Sequence, residues 1–314
     1  MLKKSSIRRI IITSTALLVF ILIMLFPATN KAKPSFETTI EYVSVNKTPI
    51  FLIDAYDYVA RTNIVIPQKE TLEKIKHIIE ALTINGQIKD YIPNGFKAII
   101  PQNTKVLDLS IQDNLLKIDF SKEFLNVSLD DEEKLLESII FSLTEINDIK
   151  SIMIFVEGKS LLELPNSKKR LSPVLDRNFG INKEIDIENF KNTSKTTVYY
   201  TSTHNDFKYY IPITKVSNDH SEKIEIIINA LKSSPIHQTN LISYLASNTE
   251  LLNYEILEES IHLSFNNYIL NDFDEKNILE EVKYAIALSI RDNYNINETT
   301  YFIDDQEIIN FILE

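Results

Sequence analysis

Cysteine and tryptophan are absent from these 314 residues, and glycine occurs only four times. Without cysteine there can be no disulfide, no thiolate-ligated metal and no lipid attached at a lipobox. Gly86, Gly95, Gly158 and Gly180 are too far apart to write G-x-G-x-x-G, a Walker-type loop or a G-x-S-x-G elbow. Each of those motifs needs several glycines where backbone approaches a phosphate or turns sharply, which argues against common nucleotide enzymes and elbow-type serine hydrolases. Cations are scarce too: 33 Lys plus Arg stand against 44 Asp plus Glu, a net charge of −11. An acidic surface repels phosphates, so no nucleic acid partner is expected. What is present is 44% hydrophobic residues, a foldable composition whose length suggests about two domains.

The one long apolar run lies near the start. Lys3, Lys4, Arg8 and Arg9 precede Ile10 to Phe26, which is interrupted only by Thr13, Ser14 and Thr15. At about 1.5 Å per residue such a run reaches roughly 25 Å, enough to span a bilayer once with help from Arg9 and the residues after Phe26. The basic flank stays inside, which places everything after the run outside the cytoplasmic membrane. A cleaved signal peptide is the rival reading, but Ala28 has Phe26 two places before it and Ala32 has Asn30, so no small-x-small site follows. An uncleaved signal-anchor over 10–27 is therefore expected. The chain beyond residue 34 holds 27 basic and 44 acidic residues, a net of −17 that keeps it off an anionic membrane surface.

A search for internal repeats finds one module twice. Ile75, Ile78, Ile79, Ala81 and Leu82 recur 149 positions later as Ile224, Ile227, Ile228, Ala230 and Leu231, an apolar helical stripe in each case. Thr104, Val106, Ile118 and Phe120 return at an offset of 145 as Thr249, Leu251, Leu263 and Phe265, and the helix of Leu143 corresponds to that of Leu288. Each copy reads as strand, strand, helix, two strands, helix, strand. In the first copy the strands are Ile50 to Ile53 and Asn63 to Ile66, ended by Pro67, then about 104 to 111, Leu115 to Phe120 and Ile152 to Val156. The helices fall at about 70 to 82 and along the face Leu135, Leu136, Ile139, Ile140 and Leu143. Asp113 and Asn114 make a hairpin turn, since Asn tolerates positive φ. The second copy repeats the order with Val198 to Tyr200, Tyr209 to Ile213, a helix from Ser221 to Leu231, a strand pair around Leu251 and Leu263, a helix at about 275 to 290, and Tyr301 to Ile303. The expected fold is α+β, two mixed sheets with packed helices.

Several of these stretches resemble a known family, the GerM or GerMN domain of extracytoplasmic bacterial proteins. Thr104-Lys105-Val106-Leu107, the following hairpin, Ile118-Asp119-Phe120-Ser121 and Phe124 carry the resemblance, with Glu80-Ala81-Leu82, Phe155-Val156-Glu157-Gly158-Lys159 and the tail Leu171 to Asn182, including Leu175, Arg177, Ile181 and Asn182. In the second copy Phe265 is followed by Asn266 rather than Ser, and no equivalent tail follows. The resemblance implies tandem modules, membrane tethering, and a non-enzymatic role in assembly connected with sporulation or germination. Its partners would be envelope or membrane-complex proteins or a homo-oligomer. Family members are often lipoproteins; here a transmembrane helix takes that place.

The expected organisation is 1–9 cytoplasmic tail, 10–27 anchor, 28–47 stalk, 48–182 first module, 183–195 linker and 196–314 second, divergent module. The linker is short for a free tether, reaching roughly 20 Å, so the modules are expected to touch. No catalytic, cofactor or metal residues are assigned. His77, His204, His220, His237 and His262 have no ligand spacing, and Asp130-Asp131-Glu132-Glu133 and Asp304-Asp305 read as helix-start and turn chemistry rather than calcium loops. Lys168, Lys169 and Arg170 are candidates for touching lipid phosphate or a polyanionic wall polymer. Tyr199 and Tyr209, in a group with Tyr200, Phe207 and Tyr210, are candidates for a glycan or peptide platform, which makes cell-wall binding the alternative function. An enzyme site between the modules would need carboxylates and hydroxyls that the sequence does not place together.

Overall fold

A computed structural model describes residues 14, 15, 17, 18, 47–66, 70–189, 191–233, 240–272, 274 and 276–313. The chain forms two compact units, 1–44 and 45–314. In the first, Ser14, Thr15, Leu17 and Leu18 are helical; the remainder of the apolar run Ile10 to Phe26, and Pro67 further on, lie outside the described residues. Among the described residues no helix is long and apolar enough to cross a membrane.

The second unit is mixed α+β. It opens with a hairpin, β1 (Lys47–Ile53) and β2 (Val59–Val65), followed by α1 (Thr71–Leu82). Then come β3 (Val106–Gln112), β4 (Leu115–Phe120), α2 (Glu132–Leu143), β5 (Ser151–Val156) and the short β6 (Lys159–Ser160). After β7 (Glu184–Asp186) the order returns: β8 (Ser194–His204), β9 (Phe207–Ser217), α3 (Lys223–Leu231), β10 (Leu251–Ile256), β11 (Ser260–Phe265), α4 (Glu280–Tyr294), β12 (Glu298–Ile303) and β13 (Gln306–Ile312).

Local chemistry accounts for most of these elements. With so little glycine, the tight turns use Asx pairs with positive φ: Asp113 and Asn114 at 50° and 61°, Asn205 and Asp206 at 47° and 64°, Asp304 and Asp305 at 49° and 58°. Two consecutive residues with positive φ match the right-handed twist of the flanking strands. The apolar stripes of α1 and α3 are the buried faces expected: Ile75, Ile78, Ile79, Ala81 and Leu82 in one, Ile224, Ile227, Ile228 and Leu231 in the other. Two element boundaries need correction. The last helix starts at Glu280, not near 275, because Ile278 and Leu279 precede it and Leu279 is its extended N-terminal cap. The chain also continues past Ile303 into β13, whose weak alternation and charged start hide it in the sequence.

Three sheets result rather than the expected one per module, because the opening hairpins of the two copies join in a sheet of their own. Two are four-stranded and alike, β3-β4-β5-β6 and β10-β11-β12-β13, each with an antiparallel pair and a parallel step across a helix. The third is shared: β1, β2, β9, β8 and β7 form one five-stranded sheet in which β2 meets β9 antiparallel at Arg61 and Tyr210. Those two strands hold equivalent places in the repeat, so their antiparallel meeting relates the copies by a local two-fold axis. The segment 183–195 contains β7, which pairs in parallel with Lys215–Ser217. The apolar core crosses the junction as well, with Tyr199, Ala287, Leu288 and Leu313 packed in one cluster with Ile50, Phe51 and Phe141.

Candidate functional site

Polar chemistry concentrates where the copies meet. Helix α2 hands its hydroxyls to the first hairpin: Ser142 Oγ accepts the Phe51 N–H at 2.8 Å and Ser138 Oγ donates to the Phe51 carbonyl at 2.5 Å. In the second copy Ser289 Oγ accepts the Tyr199 N–H at 2.9 Å. These bonds pair Ser142 with Ser289, an offset of 147 rather than 145 for the second helix, and so pair Glu145 with Asp292. The expected register had missed that equivalence, because the connection into α4 carries two extra residues that periodicity alone does not locate.

Glu145 and Asp292 both point into the junction, with side chains only 3% and 1% exposed. Arg291 grips Glu145 with two bonds of 3.0 and 2.5 Å, Arg177 adds one of 2.6 Å, and Arg61 one of 3.3 Å. Arg177 also bonds Asp292, donates to Thr144 Oγ1 at 2.9 Å and lies over the Phe141 ring, 4.9 Å from its centroid. Tyr199 donates its hydroxyl to the other Asp292 oxygen at 2.6 Å. Burial alone would raise the Glu145 carboxyl; Arg291, Arg61 and Arg177 outweigh it and hold it well below the usual carboxylate range. Burial and the Asp292 carboxylate push the Tyr199 phenol up, so it remains a donor.

A second buried chain lies nearby. Tyr209 donates to Asp54 Oδ2 at 2.8 Å and receives a bond from Ser202 Oγ at 3.2 Å, while Asp54 Oδ1 accepts the N–H groups of Tyr56 and Tyr58. Phe96 packs edge-on against Tyr209, 4.9 Å between centroids. Gly95 beside it has φ +91°, and a Cβ there would stand 2.3 Å from His204 Cδ2, so glycine lets the first copy lie against β8. Asn182 completes the join: its side chain bonds Val59 N and O at 2.9 and 2.8 Å and the Pro212 carbonyl at 2.8 Å. Arg177 and Asn182, at the end of the segment from Leu171, thus tie the two copies together.

Carboxylates and hydroxyls do converge here, contrary to the expectation from spacing. Each of these carboxylates is occupied by an arginine, a phenol or a backbone group, and a buried acid held ionised by three guanidiniums is neither open to substrate nor free to exchange a proton. Tyr199 and Tyr209 are 0% and 2% exposed, inside the junction rather than on an open platform; Phe207, of the same group, is exposed. The three cations lie together on an exposed hairpin. Its place is set by the buried Glu132, which accepts the N–H groups of Asn166 and Ser167, both at 2.9 Å. Lys169 bonds Glu133 at 2.6 Å, Lys168 sits 3.8 Å from Glu163, and Arg170 bridges Glu163 through the backbone. Among the described residues, no group of three or more His, Asp or Glu could hold a metal ion.

Comparison with known proteins agrees with this architecture. Residues 49–162 match the Germane family model, described as sporulation and spore germination. The chain is similar to spore germination protein GerM of Bacillus subtilis, 30% identical over 268 residues that make up 83% of this chain and 72% of that protein. It is also similar to the solved tandem GerMN domains of the sporulation protein GerM from Bacillus subtilis, with a TM-score of 0.75 and 29% identity, covering 84% of this chain and 92% of that one.

Proposed function

Since this chain belongs to the GerM family of sporulation and spore germination proteins, we propose that it is a non-enzymatic assembly protein of the cell envelope. In this reading Ile10 to Phe26 anchors it, residues 28–47 form a stalk, and modules 48–182 and 196–314 are presented outside the membrane as one rigid piece. The junction carries the proposal. Its buried acids and hydroxyls are spent on fixing one module against the other, through Glu145, Arg177, Arg291 and Asp292, which is what a scaffold needs and what a catalytic cleft does not supply. The N-terminal basic flank and apolar run support the anchor.

The test is cross-linking of the full chain in its own cells, with fractionation. The expected result is a membrane fraction in which defined envelope proteins are captured, and release from that fraction when Leu17→Arg and Leu18→Arg are introduced together. A solitary monomer with no captured neighbour, or a chain already free of the membrane, overturns it.

A further inference from the structure

The outer strands of the two four-stranded sheets are alike in geometry and unlike in charge. Strands β3 and β10 each form one edge of their sheet, and each has a bulge after its first residue. The bulged residue is an exposed leucine both times: Leu107 at 49% and Leu252 at 60%. An edge strand offers unpaired N–H and C=O groups to any extended chain, and proteins usually blunt it with a bulge or with charge. Around β3 both signs are interspersed, with Lys105, Lys117 and Lys122 among Asp108, Asp113, Asp119 and Glu123.

Around β10 they do not. From Ser233 to Glu275 the chain has seven carboxylates and neither lysine nor arginine. Glu250, Glu255, Glu258 and Glu259 are exposed and make no ion pair among the described residues. Helix α3 adds to this rim: burial first, then Glu222 and Glu225, push the Tyr254 phenol up. Ile256 and Leu257 are exposed beside the acids. The charge on this edge repels acidic strands and favours basic ones.

We propose that β10 is the docking edge for an extended, basic segment of an envelope protein, one that alternates lysine or arginine with apolar residues. It would add as a fifth strand beside Leu251–Ile256. Backbone pairing supplies affinity, and the pleat supplies selectivity. Residues laid beside Glu255 share its solvent face at about 5 Å and carry the positive charge, while those beside Tyr254 and Ile256 turn toward the helix side and are apolar. The charge-balanced β3 edge does not select such a segment. This proposal rests on the association reading above and names its surface.

The experiment uses the full chain in detergent micelles and a labelled nine-residue peptide alternating lysine and valine, read by fluorescence anisotropy and amide hydrogen exchange. The expected result is binding with new protection at Asn253–Ile256, weakened roughly tenfold or more by Glu255→Lys with Glu258→Lys and unchanged by Leu107→Asp. The milder pair Glu255→Gln with Glu258→Gln weakens it less and guards against misfolding of the first. Equal binding of a peptide of the same composition with its lysines in one block overturns the proposal, as does protection at β3 instead, or self-association abolished by the same Lys pair. If that variant still cross-links its envelope neighbours in full yield, the docking edge falls and the association reading stands. If the unaltered chain captures no neighbour, the association reading falls whatever the peptide does.

Discussion

Glu145 receives four bonds from three arginines in the interior, and a buried carboxylate survives as an anion only with such company. Glu137 is the contrast: burial pushes its carboxyl up, and the single lysine beside it, Lys183 at 2.6 Å, only partly offsets this. Glu145→Gln is expected to cost about 3–5 kcal/mol in denaturant unfolding, since it leaves three guanidiniums around a neutral amide. The acid limb should change too. Glu145 has a folded pKa below its unfolded value of about 4.3, so its contribution is complete above that value and declines as pH falls toward the folded one. Stability of the Gln variant should therefore fall less steeply than that of the native chain between about pH 5 and 2, measured as unfolding midpoints across pH.

At the scale of elements, two helical serines hold two hairpins. Ser142 and Ser289 accept the buried N–H groups of Phe51 and Tyr199, which β1 and β8 cannot pair within the sheet. Ser142→Ala and Ser289→Ala should each cost about 1–3 kcal/mol by urea unfolding, the cost of a buried donor left without a partner. Faster amide exchange at Phe51 or Tyr199 respectively would accompany the loss. The helices themselves were legible from their stripes, and the hairpin turn at Asp113-Asn114 from its Asx pair. The start of α4 was less so: Ile278 and Leu279 extend its apolar pattern backwards, although they pack before the first helical turn. Strand β13 was hidden because it opens on exposed Gln306 and Glu307 and a bulge at Ile308 breaks its alternation before Ile309 and Phe311.

For the whole molecule the shared sheet and the common core predict one cooperative unit. Residues 47–313 should unfold in a single transition, with circular dichroism and tyrosine fluorescence coincident. Arg177→Ala removes the side chain bound to both Glu145 and Asp292 and should separate those probes, with proteolysis appearing in 183–195. Two independent transitions in the native chain would contradict the rigid pair.

The repeat, the α+β class, the helical faces and the family were properties of the sequence by itself, because periodicity, turn chemistry and motif spacing are local and survive without any fold. The junction was decided only by tertiary structure. Arg61, Glu145, Arg177, Tyr199 and Asp292 span more than two hundred residues of chain, and no local pattern marks them as neighbours. The antiparallel meeting of β2 and β9 brings them together, and burial turns five ordinary side chains into a lock, since charge is strong only where water is excluded.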